Sequence, residues 1–316
     1  MGNCLLIFPQ SFYSFSNYIK NHLTSIGYDV ETINDEFPDN TLGKIMGTLQ
    51  MSIHTSISEK VITEKYVNGK TYDLILIFKG RGMSKSLIEK FKLISPKVIA
   101  YNFDSFSYFK NAKSWYKSVN SYYTFDYKDA KDFYLPIIEL FSSLPLSTNK
   151  KEIKYSVSAI VRNHSNRIKF IDNVLVGLNE KNTFVYIYEK NIISFVINFF
   201  KNPVLYMKYR KMIHFKTLSY DEYINVLNQS DFTIDYAHPK QTGITIRCFE
   251  ASSCRTKTIT NNAFVLNNLN FNSTNTIVFN QHTNMDDFRN NYNRIKNILP
   301  KLYNRSIGDF MTELLK

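Results

Sequence analysis

Continuous apolar runs, NCLLIF, YDLILIF, KVIAYNF, YSVSAIV, TFVYIY and SDFTI, recur along the chain, with helix-length segments such as SNYIKNHLTSIG, SKSLIEKFKLI and RIKFIDNVLVGL between them. A strand that is apolar at every position is buried on both faces, as in a parallel sheet covered by crossover helices. The pattern predicts an α/β fold. It pauses once, in the polar, Pro-containing SSLPLSTNKKEIK, and then restarts. We therefore read two doubly wound Rossmann-like domains, 1–145 and 155–316, joined by a linker over 146–154 and facing each other across a cleft. The length of 316 residues suits two domains of about 150, and 44% hydrophobic residues suffice for two cores. Residues 34–70 are polar and define no clear element.

The formal net charge is +12, from 39 Lys and Arg against 27 Asp and Glu, which favours a negatively charged partner. Nucleic acid, anionic lipid and phosphorylated small molecules all fit that sign. No helix-turn-helix, RNP, KH or zinc-finger pattern accompanies the charge, and the basic residues are scattered, so a nucleic-acid-binding protein is the weaker alternative. The cysteines, Cys4, Cys248 and Cys254, form no CxxC pair, which points to a reducing, cytoplasmic setting. No apolar run reaches membrane-spanning length, and MGNCLLIF lacks the pattern of a secretory signal. Gly2 and Cys4 suggest acylation only faintly, because Leu6 stands where a myristoylation motif has Ser or Thr. The histidines show no HxH or HExxH spacing, so we expect no metal and no cofactor.

Ligands of parallel α/β sheets bind beyond the C-terminal ends of the strands. One such junction reads DYAHPKQTGITIRCFE, from Asp235 to Glu250. If SDFTIDY is a strand and ITIRCFEASS opens a helix, HPKQTG is the strand-end loop. Thr242, Gly243 and the following amides then cap a helix N-terminus, which is a ready anion site. Arg247 and Glu250 fall on nearly one face of that helix. A plainer reading makes Thr242 an ordinary cap, Gly243 a relaxed turn and Arg247–Glu250 a surface pair.

The block SDFTIDYAHPKQTGITIRCFEASSCRTKTITNN, with TLSYDEYINVLNQ before it, resembles the C-terminal donor domain of GT-B glycosyltransferases, and within them the CgeB-like polysaccharide-biosynthesis group. The residues that carry the resemblance are Asp235, His238, Pro239, Gln241, Thr242, Gly243, Thr245, Arg247, Glu250, Ala251, Thr260 and Asn261. It continues more thinly into FKGRGMS, through Gly80, Gly82 and Ser84, and into YNFDS, through Asp104 and Ser105, with Phe103 where relatives have Trp. The resemblance implies a metal-independent glycosyltransferase that takes a nucleotide-sugar. Arg247, Lys240 and the Thr242–Gly243 amides would hold the diphosphate, with Gln241 and Thr245 lining the donor site and Glu250 accepting from the ribose. Many retaining members carry a glutamate eight residues before the ribose carboxylate; here that position is Thr242, so retaining stereochemistry does not carry over.

An acceptor hydroxyl calls for a general base in the first domain, and Asp104 is the candidate, with an Asx turn or helix cap as its alternative. His238 is a second acid–base or phosphate-contact candidate, or else a structural loop residue. Arg162 and Asn163, beside His164, follow the first strand of the second domain, where they would touch the donor or simply cap a helix. Gly80, Gly82 and Ser84 are read as an acceptor-side loop. The expected acceptor is a glycan or a lipid-linked glycan of a bacterial surface polysaccharide (capsule, O-antigen or lipopolysaccharide), with a UDP-sugar as the favoured donor. A nucleotide-sugar epimerase or hydrolase on the same scaffold is the alternative. The stretch Asn191–Met212 mixes aromatic with basic residues and is interrupted by Pro203. It is either core or a peripheral contact with an anionic membrane at the inner face of the cytoplasmic membrane.

Overall fold

The apolar runs form two sheets in which every strand pair is parallel. The computed structural model of the chain describes residues 2–9, 13–49, 51–144 and 152–316. The first sheet is built from β1 (Gly2–Ile7), α1 (Tyr13–Ser25), β2 (Tyr28–Ile33), α2 (Thr41–Thr48), α3 (Ser52–Ile62), β3 (Leu74–Phe78), α4 (Lys85–Ile94), β4 (Val98–Asn102), β5 (Ser121–Thr124) and α5 (Tyr127–Phe133), with strand order β2-β1-β3-β4-β5. The second contains β6 (Tyr155–Arg162), α6 (Arg167–Leu178), β7 (Thr183–Tyr188), α7 (Ile192–Lys201), α8 (Pro203–Lys208) and β8 (Ile213–His214). It continues through α9 (Tyr220–Asn228), β9 (Ser230–Asp235), α10 (Ile246–Ser253), β10 (Lys257–Thr260), β11 (Thr276–Val278) and α11 (Met285–Lys296), in the order β11-β10-β9-β6-β7-β8. Both are doubly wound Rossmann-like sheets, as the strand pattern predicts.

Every residue of β3 and β4 is buried, because both faces of their sheet are covered. Alternate side chains go to separate cores: Leu5, Ile7, Ile75 and Ile77 pack on one face, and Cys4, Leu6, Leu74, Leu76 and Phe78 on the other. All three cysteines are free and buried, and burial pushes the Cys4 thiol up to about 12.

Two compact units result, Met1–Ser143 with Pro239–Gly243 and Arg305–Lys316, and Leu144–His238 with Ile244–Asn304. The sequence reading assigns residues 155–316 to the second domain, whereas α12 (Ile307–Leu314) belongs to the first. Its stripe of Phe310, Met311 and Leu314 is fully buried in the core of Cys4, Leu6, Phe78 and Tyr101, and the Phe310 ring meets Tyr101 edge-on at 4.9 Å. Periodicity reveals such a stripe but not the sheet face it covers. The 146–154 linker falls mostly outside the described residues. Residues 34–70 hold α2, capped by Asn40, which accepts from the Gly43 amide, and α3 running into a π-helical turn at Thr63–Val67. Buried polar residues such as His54 and Ser58 conceal the helical period there.

Strand order reverses between β6 and β9 in the second sheet, since β7 and β8 lie to one side of β6 and β9, β10 and β11 to the other. Such a switch point leaves a crevice at the strand C-termini.

Truncating Phe310 to Ala is expected to destabilise the first unit by about 3–5 kcal/mol, the usual cost of an aromatic deleted from a core. Denaturant unfolding checks this; a loss under about 1 kcal/mol would mean that α12 covers nothing essential.

Candidate functional site

At the β6/β9 switch point, two helices open with an arginine and no acidic residue in the first turn: Arg167 begins α6, and Arg247 is the second residue of α10. A cation at a helix N-terminus opposes the helix dipole and is locally unfavourable. The combination becomes favourable when an anion lies against both the amides and the guanidinium. Arg167 donates from one terminal nitrogen to the Arg162 carbonyl at 3.2 Å. The Nε atoms of Arg167 and Arg247 are both buried without a hydrogen-bond partner among the described residues.

His164 and His238 join this group, with ring centroids 6.5 Å apart. Burial, followed by the charges of Arg167, Arg162 and His238, pushes the His164 imidazole down to about 4, so it is neutral at pH 7. Burial and then Arg247 lower Arg167 to about 10. Burial is the larger cause of both shifts, and the neighbouring cations add to it. Asp235 sits at the base of the group, 1% exposed; it accepts from Thr245 Oγ1 at 2.8 Å and Thr260 Oγ1 at 3.1 Å, and lies 3.7 Å from the Arg247 guanidinium. The Asn261 side chain bonds both the amide and the carbonyl of Ala237, at 2.8 and 3.0 Å, fixing the turn that leads to His238.

Glu250 is buried, and its carboxylate accepts from Tyr220 (3.0 Å) and Tyr223 (2.7 Å). Burial raises its pKa, while the two tyrosine hydroxyls and Arg247 oppose the rise. Arg247 in turn is held charged by Tyr223, Asp235 and Glu250 against the cost of its burial. Asn163, read from sequence as a donor contact, points elsewhere: it is buried, donates to the buried Glu189 carboxylate at 2.7 Å and meets Tyr206. Ser194 and Asn198 complete that Glu189 network.

The QTG loop differs most from the sequence reading. The N-cap of α10 is Thr245, three residues after Thr242, and Pro239–Gly243 belongs to the first unit. There, Ser105 Oγ donates to the Lys240 carbonyl (2.5 Å) and Gln241 Nε2 to Asp104 (2.8 Å). Thr242 gives both its amide (2.6 Å) and its hydroxyl (2.8 Å) to Asp126, while its Oγ1 accepts from the Lys128 amide. The Thr242 amide that was assigned to a phosphate is therefore directed at a carboxylate. Gly243 serves close packing, because a Cβ there would stand 2.2 Å from the Phe125 ring.

Asp104 is also committed: its other oxygen lies 2.5 Å from the buried Lys79 ammonium. A carboxylate tied to a cation on one side and an amide on the other is a clamp, and the general-base role gives way to it. The nearby Asx turn is made by Asn102, which accepts from the Asp104 amide. Gly80 adopts a left-handed φ of +70°, where a Cβ would also strike Met83 and Trp115; Gly82 donates to the Asp35 carbonyl; Ser84 caps α4 and donates to Glu59. These three residues shape the loop, and the cluster sequence reasoning missed lies beside them. Asp35 accepts from the Arg81 amide, Glu36 lies 3.4 Å from both Arg81 and His54, and burial raises Asp35 to about 6.

Arg167 went unnoticed in the sequence, although a basic residue opening a helix without a nearby acid is the local inconsistency that could have flagged it. Among the described residues, no group of three or more His, Cys, Asp and Glu is placed to hold a metal ion, and no helix is long and apolar enough to cross a membrane.

Two Rossmann-like domains of this kind, with parallel sheets of five and six strands, constitute the GT-B architecture. Solved structures share it across the chain. The apo lipopolysaccharide outer core galactosyltransferase WaaB matches with a TM-score of 0.59 at 9% identity, over 100% of this chain and 99% of that one. The UDP co-structure of S. aureus MnaA matches with 0.59 at 10% identity, over 100% and 95%. A UDP-GlcNAc 2-epimerase from Methanocaldococcus jannaschii, in complex with UDP-GlcNAc and UDP, matches with 0.56 at 11%, over 100% and 99%. At these identities the likeness is one of fold. No protein-family model matches the sequence, and no curated protein does.

Two outcomes test this geometry. Gly243→Ala should lower the unfolding midpoint, because Phe125 must move; an unchanged midpoint with weakened phosphate binding would return the loop to a phosphate role. For His164, the unfolded chain takes up the proton first as the pH falls below 6.5, and the folded chain follows only near 4. This residue therefore removes stability as pH drops through that window. His164→Gln should flatten the acid-side decline between those values, and an unaltered pH–stability curve would place the imidazole in an ordinary environment.

Proposed function

We propose that the protein is a glycosyltransferase that moves a sugar from a nucleotide-sugar, with a UDP-sugar favoured, to a glycan or lipid-linked acceptor. The single observation that carries this reading is the pair of arginines, Arg167 and Arg247, in the first turns of two helices that open at the β6/β9 switch point. A diphosphate placed there would meet two guanidinium groups and two sets of helix amides, with His164 and His238 at its edge. When the sugar leaves, charge grows on the β-phosphate, and fixed donors in a partly dry site favour that growth. This is chemistry the chain's own cations would supply, so we assign the reaction to the metal-independent type.

In this reading Asp235 positions Arg247 and Thr245, and Glu250 holds Tyr220 and Tyr223 while keeping Arg247 charged. The ribose role foreseen for Glu250 would use lone pairs that the tyrosines leave. The CgeB-like ordering from Asp235 to Asn261 supports a bacterial surface polysaccharide, made in the cytoplasm, as the setting. A second reading, a nucleotide-sugar epimerase or hydrolase, is favoured by the likeness to the UDP-GlcNAc 2-epimerase, whose TM-score of 0.56 is near the 0.59 of the galactosyltransferase.

A thermal-shift screen against UDP, GDP, CMP and their sugars tests the donor, since a ligand of the folded state raises its midpoint. Arg167→Ala and Arg247→Ala should each weaken binding of the preferred nucleoside diphosphate about 10- to 100-fold, the weight of a charge-assisted hydrogen bond. Affinities equal to the parent's would remove the diphosphate assignment. Sugar transfer that depends on added acceptor supports the transferase; isomerised or hydrolysed donor without acceptor supports the second reading.

A further inference from the structure

We propose that the α7–α8 face of the second unit is a docking surface for an anionic lipid bilayer. Helix α7 is apolar nearly all round. Phe195 and Phe199 turn inward against the core of the second unit, where Tyr206 of α8 is fully buried. A second set of apolar side chains faces outward: Ile192, Ile193, Ile197, Phe200, Val204 and Met207, exposed by 51–79%. Isolated exposed apolar residues are ordinary, but a contiguous group on two consecutive helices marks a surface that is covered in use.

The charge pattern selects the cover. From Lys190 to Tyr220 the chain has six basic residues, Lys190, Lys201, Lys208, Arg210, Lys211 and Lys216, and no Asp or Glu. Only Lys208 has an ion pair among the described residues, with Asp172 on α6 at 2.5 Å. Aliphatic and phenyl groups beside lysines match the interfacial helix pattern, in which the apolar side enters the acyl boundary and the cations meet lipid phosphates. A second copy of the chain would bring the same positive rim against itself, which like-charge repulsion opposes. The short capped form of the element also fits. Asn191 and Ser194 make a reciprocal capping box, and Pro203 starts α8 at its first residue, so the two helices present their outer sides without interrupting the core stripe.

The proposal does not rest on the sugar-transfer reading. Such docking would bring the protein to the surface where a lipid-linked acceptor resides.

Vesicle flotation with the full chain tests the proposal, using neutral phosphatidylcholine vesicles and vesicles with about 30% phosphatidylglycerol, at low and high salt. We expect binding to the anionic vesicles that weakens as salt rises, and little binding to the neutral ones. Phe200→Ser combined with Val204→Ser should reduce partitioning about tenfold or more. The double variant Lys201→Gln, Lys211→Gln should reduce it and flatten the salt dependence. Leu93→Ser, which changes an exposed leucine on α4 of the first unit, should leave partitioning unchanged and controls for general stickiness. The thermal midpoint of each variant confirms folding. Three results would overturn the proposal: no flotation at low salt, flotation indifferent to the Phe200 and Val204 changes, or a concentration-dependent dimer that those changes abolish.

Discussion

Parallel strands buried on both faces can be joined only by a crossover over one face of the sheet, and in this chain that constraint organises everything else. Each crossover helix starts where a strand has just ended, so unpaired helix amides collect along one edge of the sheet. Where strand order reverses, at β6 and β9, two helices leave in opposite directions and their N-termini face a common crevice. The gathering of helix amides at this edge is thus a consequence of topology before any side chain is chosen. Arg167, Arg247, His164 and His238 add positive charge to an edge whose backbone already favours an anion.

That charge needs structural support, since guanidinium groups near one another and partly buried repel. Asp235 and Glu250 provide it from within the protein: one carboxylate stands near Arg247 at the end of β9, and the other lies one turn further along α10. Each carboxylate is in turn oriented by hydroxyl donors, Thr245 and Thr260 for Asp235, Tyr220 and Tyr223 for Glu250. The same means appears in the first unit, where Asp104 and Asp126 fasten Gln241 and Thr242. These four carboxylates act to fix donors in place, each through two or more partners.

The strands were legible because a doubly buried strand leaves a continuous apolar run, and LILIF or VIAYN admits few other readings. Helices with one apolar stripe were legible as well, down to the break at Pro203. Less could be read where polar residues are buried: His54 and Ser58 occupy interior positions of α3 and erase the period that would mark it. Within the site, Arg247 and His238 stood out through an ordered motif, while Arg167 did not, because a single arginine after NHSN has no spacing to announce it.

The sequence alone determined the α/β class, the two sheets and the position of the strand-end loops, since these depend on local periodicity and on residues close together in the chain. Only the tertiary structure decided which carboxylate answers which donor. Thr242 lies three residues before the N-cap of α10, yet its amide and hydroxyl donate to Asp126, 116 positions away. The last helix, α12, likewise covers the sheet that the first residues of the chain began. Both are long-range pairings, selected by the shape and charge of surfaces that exist only once the chain has folded.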